Sequence, residues 1–242
     1  MSKISQKDID WLLNLDQTGR DGIAKNFTPQ KNKTLLKILF WVLMVFGLGV
    51  LPFILLIRTS IFLNFNYSWN GWLALSGGIF VTIILLLLYI IILFRRVSNK
   101  KMLLKYSLGG IGVLVFAFCF YGVMYISSVN AKNDQIRQVY RSMHPILRVA
   151  VATTTLADGN LVITDIQRRP EDYTAMGIPV NHQSLHFPQQ TGYVHAIDLR
   201  TSGRNEFRNF LLRSSFEIMG LNTIRHVGTA DHLHVTLPSS HK

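Results

Sequence analysis

The stretch WLALSGGIFVTIILLLLYIIILF, Trp72 to Phe94, carries no charged residue and no histidine. Its length is close to what a helix needs to cross the ~30 Å hydrocarbon core of a bilayer. Two further runs share the property, Ile38 to Ile57 and Leu108 to Val129. In a soluble core the apolar positions would recur with the period of one buried face, whereas here they are bunched. The chain therefore reads as a membrane protein: three N-terminal transmembrane helices followed by a small α+β domain with an antiparallel sheet. The division expected is a cytoplasmic tail over 1–37, a transmembrane region over 38–129 and an extracytoplasmic domain over 130–242. No Asp, Glu, Lys, Arg or His lies inside the runs, so no ion or proton pathway is expected, and a transporter or channel is disfavoured.

The net charge of +12 would suit a nucleic-acid binder if it lay on one face of a folded domain. It lies mostly beside the apolar runs instead. Residues 1 to 37 hold Lys3, Lys7, Arg20, Lys25, Lys31, Lys33 and Lys37, and the connection between the second and third runs holds Arg95, Arg96, Lys100, Lys101 and Lys105. The first connection has only Arg58. Because basic residues are retained on the cytoplasmic side, the N-terminus is expected inside and everything after Val129 outside. From Asn130 onward twelve Lys and Arg face nine Asp and Glu, a net of only +3, so no nucleic-acid partner is expected.

Smaller signals agree with three crossings. Trp69 and Trp72 flank the start of the second run and Tyr121 and Tyr125 approach the end of the third, as interfacial aromatics do. Pro52 is expected to kink or end the first helix. Gly77, Gly78, Gly109, Gly110 and Gly112 would allow close helix packing. The first 35 residues lack an apolar core followed by a small-residue cleavage site, so the first helix is expected to be an uncleaved anchor. Cys119 is the single cysteine, so no intrachain disulfide forms. Three helices exceed what an anchor requires, so a membrane partner or a homo-oligomer is expected beside the lipid bilayer itself.

In the C-terminal region an amphipathic helix is expected between Lys132 and Arg148, broken or bent at Pro145. Strands are expected at Leu161 to Ile166, Val194 to Leu199 and His232 to Leu237, with a turn at Asp158-Gly159 and a loop-rich stretch from Glu171 to Thr191. Asn205 to Met219 reads as a helix with Phe207, Phe210, Leu211 and Ile218 on one face and Gly220 as its stop; Met219, Phe207 and Phe210 are expected in the core.

All eight histidines fall in this region, at 144, 182, 186, 195, 226, 232, 234 and 241. Neutral imidazole and carboxylate together are the ligands zinc prefers, and a catalytic site uses three of them and keeps one position for water. On one strand His232 and His234 point the same way, and Asp198 on a neighbouring strand could meet them. His144, His182, His226 and His241 read as structural or exposed.

Several segments, taken together, resemble the zinc D-Ala-D-Ala metallopeptidases, the group that also contains lysostaphin-type enzymes and hedgehog domains. These are Ser184-Leu185-His186, Thr191-Gly192, Ala196-Ile197-Asp198-Leu199 and Asp231-His232-Leu233-His234-Val235. Upstream, Val162 to Glu171 is similar to the family's strand that ends in Arg-x-Pro-Glu, here Arg168-Arg169-Pro170-Glu171. The resemblance spans roughly Met143 to Leu237 and none of the membrane region. It implies His186, Asp198 and His234 as Zn2+ ligands, Arg168 as a contact for a substrate carbonyl or carboxylate, and Asp231 or His232 as the proton shuttle. The implied activity is cleavage of D-Ala-containing peptidoglycan peptides, as a D,D-carboxypeptidase or an endopeptidase. The implied location is a bacterial cytoplasmic membrane with the domain on its periplasmic or outer face.

The chain departs from the family in two places. The spacing from His186 to Asp198 is longer, which requires an insertion within Phe187 to Val194 and makes His195 an alternative ligand. Aspartate at 231 stands where many relatives have glutamate. Both departures leave room for a second reading, a non-catalytic module that binds peptidoglycan or a partner protein.

Overall fold

The computed structural model describes residues 5–7, 9–11, 14, 33–175, 177, 179–181, 183–228 and 231–238. The expectations for Lys3, Arg20, Lys25 and Lys31 and for His182 and His241 lie outside the described residues. The chain forms two compact units, residues 1–47 and 48–242. In the first, the described apolar side chains from Leu35 to Phe46, Met44 apart, are exposed on a helix, as lipid contact requires.

Among the described residues three helices are long and apolar enough to cross a membrane: α1 (Lys33–Tyr67), α2 (Gly71–Leu93) and α3 (Lys100–Met124). α1 does not end at Pro52 but runs on to Tyr67. A proline removes one backbone donor, and inside a bilayer no water competes for the hydrogen bonds that remain. Arg58 consequently lies within α1 and not in a connection, which shrinks to Ser68–Asn70. Asn70 and Asn99 set the starts of α2 and α3 by accepting hydrogen bonds from the amides of Leu73 and Met102, at 2.9 and 3.1 Å. The third helix thus begins well before Leu108, takes in Lys100, Lys101 and Lys105, and stops at Met124, short of Val129.

Of the five glycines expected at helix contacts, two are used. A side chain at Gly78 would strike the Leu56 carbonyl and Ser60 of α1, and one at Gly77 would strike Leu63. Gly109, Gly110 and Gly112 have nothing within 4 Å.

The helix expected over Lys132 to Arg148 is replaced by a short α4 (Asp134–Gln138), a 3-10 turn at Tyr140–Ser142 and a new helix, α5 (Pro145–Ala157). Pro145 starts α5 instead of breaking a helix, because its fixed φ and missing N–H suit the first turn, where no hydrogen bond is lost. The residues of α5 from Pro145 to Ala152 are all buried. The helix packs on α2 and α3 on one side and against the later helix α7 (Glu206–Met219) on another. At the end of α3 two backbone carbonyls without helical partners are satisfied from this layer. The Tyr140 hydroxyl donates to Gly122 O at 2.6 Å, and Arg148 Nη1 donates to Val123 O at 2.8 Å. A Cβ at Gly122 would stand 2.7 Å from that of Ala152. Gly122→Val is therefore expected to lower stability by about 1–3 kcal/mol through overpacking. A reduced thermal midpoint of the detergent-solubilised chain would show it, and an unchanged midpoint would contradict the close contact.

Four strands complete the domain: β1 (Ile163–Asp165), β2 (Ala196–Arg200), β3 (Asn222–His226) and β4 (His232–Thr236), joined antiparallel in the order β1-β2-β4-β3. β3 was not expected. A short helix, α6 (Pro170–Ala175), precedes the irregular stretch. α7 and its stop are where the sequence puts them, with Gly220 at φ +95, but the buried face is the opposite one. Asn209, Leu212, Phe216 and Met219 face inward, whereas Phe207, Phe210, Leu211 and Ile218 are exposed. Both stripes have helical spacing, so periodicity alone does not choose between them.

Candidate metal centre

Antiparallel pairing sets Asp198 of β2 directly opposite His234 of β4, which brings their side chains together on one face of the sheet. His234 Nδ1 lies 2.7 Å from Asp198 Oδ1. His232, two residues earlier on the same face, has its Nε2 3.9 Å from that oxygen. His186 comes from the loop before β2 and is almost completely buried. Its Nε2 lies 3.3 Å from His234 Nδ1 and 3.4 Å from Asp198 Oδ1. On the other side of the ring, Nδ1 is 2.7 Å from the Ile166 carbonyl. A carbonyl only accepts, so Nδ1 carries the proton and the Nε2 lone pair faces the other two ligands.

His186, Asp198 and His234 together could hold a metal ion. Donors around a tetrahedral ion at about 2.0–2.1 Å stand about 3.3–3.4 Å apart. Two of the three edges have that length and the third is shorter. The carboxyl of Asp198 is only 3% exposed. Burial works to raise its pKa, but the close contacts with His186 and His234 outweigh burial and hold it well below the usual carboxylate range.

Around this group the structure distributes the remaining expected residues unequally. β1 is irregular between Ile163 and Asp165, and this sets Asp165 opposite Asp198. Arg168 bridges the two carboxylates, with Nη2 2.6 Å from Asp198 Oδ2 and Nε bonded to Asp165, and its guanidinium sits 5.9 Å from the Tyr173 ring. Asp231 lines the cleft beside the cluster but is engaged by other side chains. It accepts from the Thr201 hydroxyl at 2.6 Å and from Arg225 Nη2 at 2.9 Å, contacts that hold it below the ordinary carboxylate range. His195 is not with the cluster either; its Nε2 is 2.9 Å from Thr191 Oγ1 and its ring packs 5.0 Å from that of His144.

The stretch from Phe187 to Val194, between His186 and β2, closes on itself. The amide of His195 donates to Leu185 O at 3.0 Å across its neck, and Gly192 turns its tip at φ +77. Near that tip, the Tyr193 hydroxyl accepts from Trp72 Nε1 of α2 at 3.0 Å. Arg148 lies against both rings, 5.6 Å from Trp72 and 5.8 Å from Tyr193. The loop that follows His186 is thereby tied to α2.

A cleft of about 1010 Å³ opens beside the cluster, lined among others by Lys132, Arg168, Arg169, Arg200, Asp198 and His232. Compared with family models, curated proteins and solved structures, the chain matches none of them. The site thus rests on its own geometry. One neighbour of the site escaped the sequence reading. The His226 ring stacks on that of His232 at 4.8 Å because β3 pairs the two residues directly. The β-branched pair Thr223-Ile224 followed by Gly228 was the available hairpin signal.

Proposed function

We propose that this chain is a membrane-anchored zinc peptidase acting on D-Ala-containing peptides of peptidoglycan. The reading rests on the convergence of His186, Asp198 and His234 with the His186 Nε2 lone pair aimed inward by the Ile166 carbonyl. Two imidazoles and a carboxylate are a donor set suited to zinc, and Asp198 brings the cluster to the wall of the cleft. Zinc held there supplies a Lewis acid that brings the pKa of a coordinated water to about 7. His232, near the cluster and stacked on His226, is the group placed to take the proton, since Asp231 is already engaged by Arg225 and Thr201. Arg168 brings a fixed positive charge to the cleft wall for a substrate carboxylate or a developing oxyanion. The bias of Lys and Arg toward residues 1–37 and 95–105 supports a cytoplasmic N-terminus and an extracytoplasmic domain, the side on which peptidoglycan lies.

The test is metal analysis and peptide cleavage by the full chain in proteoliposomes, with D-Ala-terminated muropeptides and mass detection, before and after chelation. One zinc per chain and release of D-Ala or of shortened peptides, both lost to chelator, are expected. His232→Ala should lower turnover by about 10²-fold or more, while Asp231→Asn should act mainly on stability. The engaged state of Asp231 favours one alternative, a module that keeps the metal but only binds wall peptide. Bound zinc with no cleavage would select that alternative, and chelator-insensitive protein without zinc would end both.

A further inference from the structure

Helix α7 carries two apolar stripes on opposite sides. The inner one, Leu212, Phe216 and Met219, is at most 3% exposed and closes the domain core. On the outer one, Phe207 is 66% exposed, Phe210 61%, Leu211 49% and Ile218 51%. Phenylalanines standing in water over three turns of helix are a liability unless something covers them. Where the helix ends supplies the occupant. Gly220 turns the chain directly onto α1, where an added Cβ would lie 3.6 Å from Ile61 and 3.7 Å from Arg58. Arg58 is the first charged residue of α1 after Lys37, so the charge-free part of that helix stops at the level where α7 ends. Arg208 and Arg213 flank the outer stripe and are exposed, as the basic borders of an interfacial helix are.

We propose that α7 lies in the plane of the membrane surface on the side of the C-terminal domain, with Phe207, Phe210, Leu211 and Ile218 inserted at the headgroup–acyl boundary. The stripe thereby continues the lipid contact of α1, and the domain is held by the bilayer at a second place besides its helices. This rests on the membrane helices alone and is independent of the peptidase reading.

The experiment uses the full chain in liposomes of mixed zwitterionic and anionic phospholipid. Spin labels are attached to F207C, F210C, L211C and I218C, and for comparison to R208C and R213C, one at a time. Collision with dissolved oxygen should exceed collision with a water-soluble nickel chelate several-fold at the four stripe positions, and the ratio should invert at the two arginine positions. Nickel accessibility dominating at all six would show a water-facing helix and overturn the proposal. Low accessibility to both reagents, with dipolar broadening between labels, would show a second copy covering the stripe and overturn it equally. All six side chains are exposed, so the substitutions leave the core untouched.

Discussion

Asp198→Ala is expected to abolish metal binding and peptide cleavage together. Groups that merely orient a metal ligand are worth about 10–100-fold in affinity, and loss of a direct, charged ligand should exceed that. The change also removes the carboxylate that pairs with Arg168 at 2.6 Å and with His234 at 2.7 Å in a nearly buried setting. Breaking such a buried pair costs up to about 3–5 kcal/mol, reduced here because Arg168 is partly exposed and keeps Asp165. Asp198→Asn keeps the shape and should lose metal with a smaller loss of stability. Metal content, cleavage rate and thermal midpoint of the two variants separate these effects, and retention of zinc by Asp198→Ala would exclude the proposed ligand set.

The second large effect concerns acid. His144 is fully buried, and among the described residues neither ring nitrogen has a hydrogen-bond partner. Burial first, then the charges of His195 and Arg148, lower its pKa to about 3 from an ordinary 6.5. An unfolded chain accepts a proton here near pH 6.5, whereas the folded chain refuses it until about pH 3. The stability from keeping this ring neutral is thus complete above pH 6.5 and falls by about 1.4 kcal/mol per pH unit below it. Unfolding of wild type and His144→Leu in detergent between pH 7 and 4.5 should show slopes that differ by one proton, the variant being the flatter. Parallel slopes would mean that the ring is protonated or hydrated in the fold.

The membrane region was legible because length and absence of charge are properties of the chain read in one dimension. Its helix ends were less so, although Asn70 and Asn99 were capping signals in plain view. The meeting of Asp198 with His234 was legible for a similar reason: the two-residue period of a strand aligns His232 with His234, and Asp198 is the cross-strand partner; His186 came from the resemblance alone. What the sequence withheld depends on neighbours distant in the chain. The face of α7 that turns inward, the engagement of Asp231 by Arg225, the hairpin that stacks His226 on His232 and the docking of Tyr193 on Trp72 all need the fold before they exist. Pro145 shows the same limit, since a proline signals a boundary without saying whether a helix ends or begins there.

The burial of α5 bears on how this protein is handled. One side of that helix is roofed by α2 and α3, and two carbonyls near the end of α3 take their hydrogen bonds from Tyr140 and Arg148. Severing the chain near residue 130 would not release a self-sufficient head; it would strip the ceiling from a shared interior and leave greasy side chains and a stranded guanidinium facing water. The same continuity joins the loop that follows His186 to α2, through the hydrogen bond from Trp72 to Tyr193.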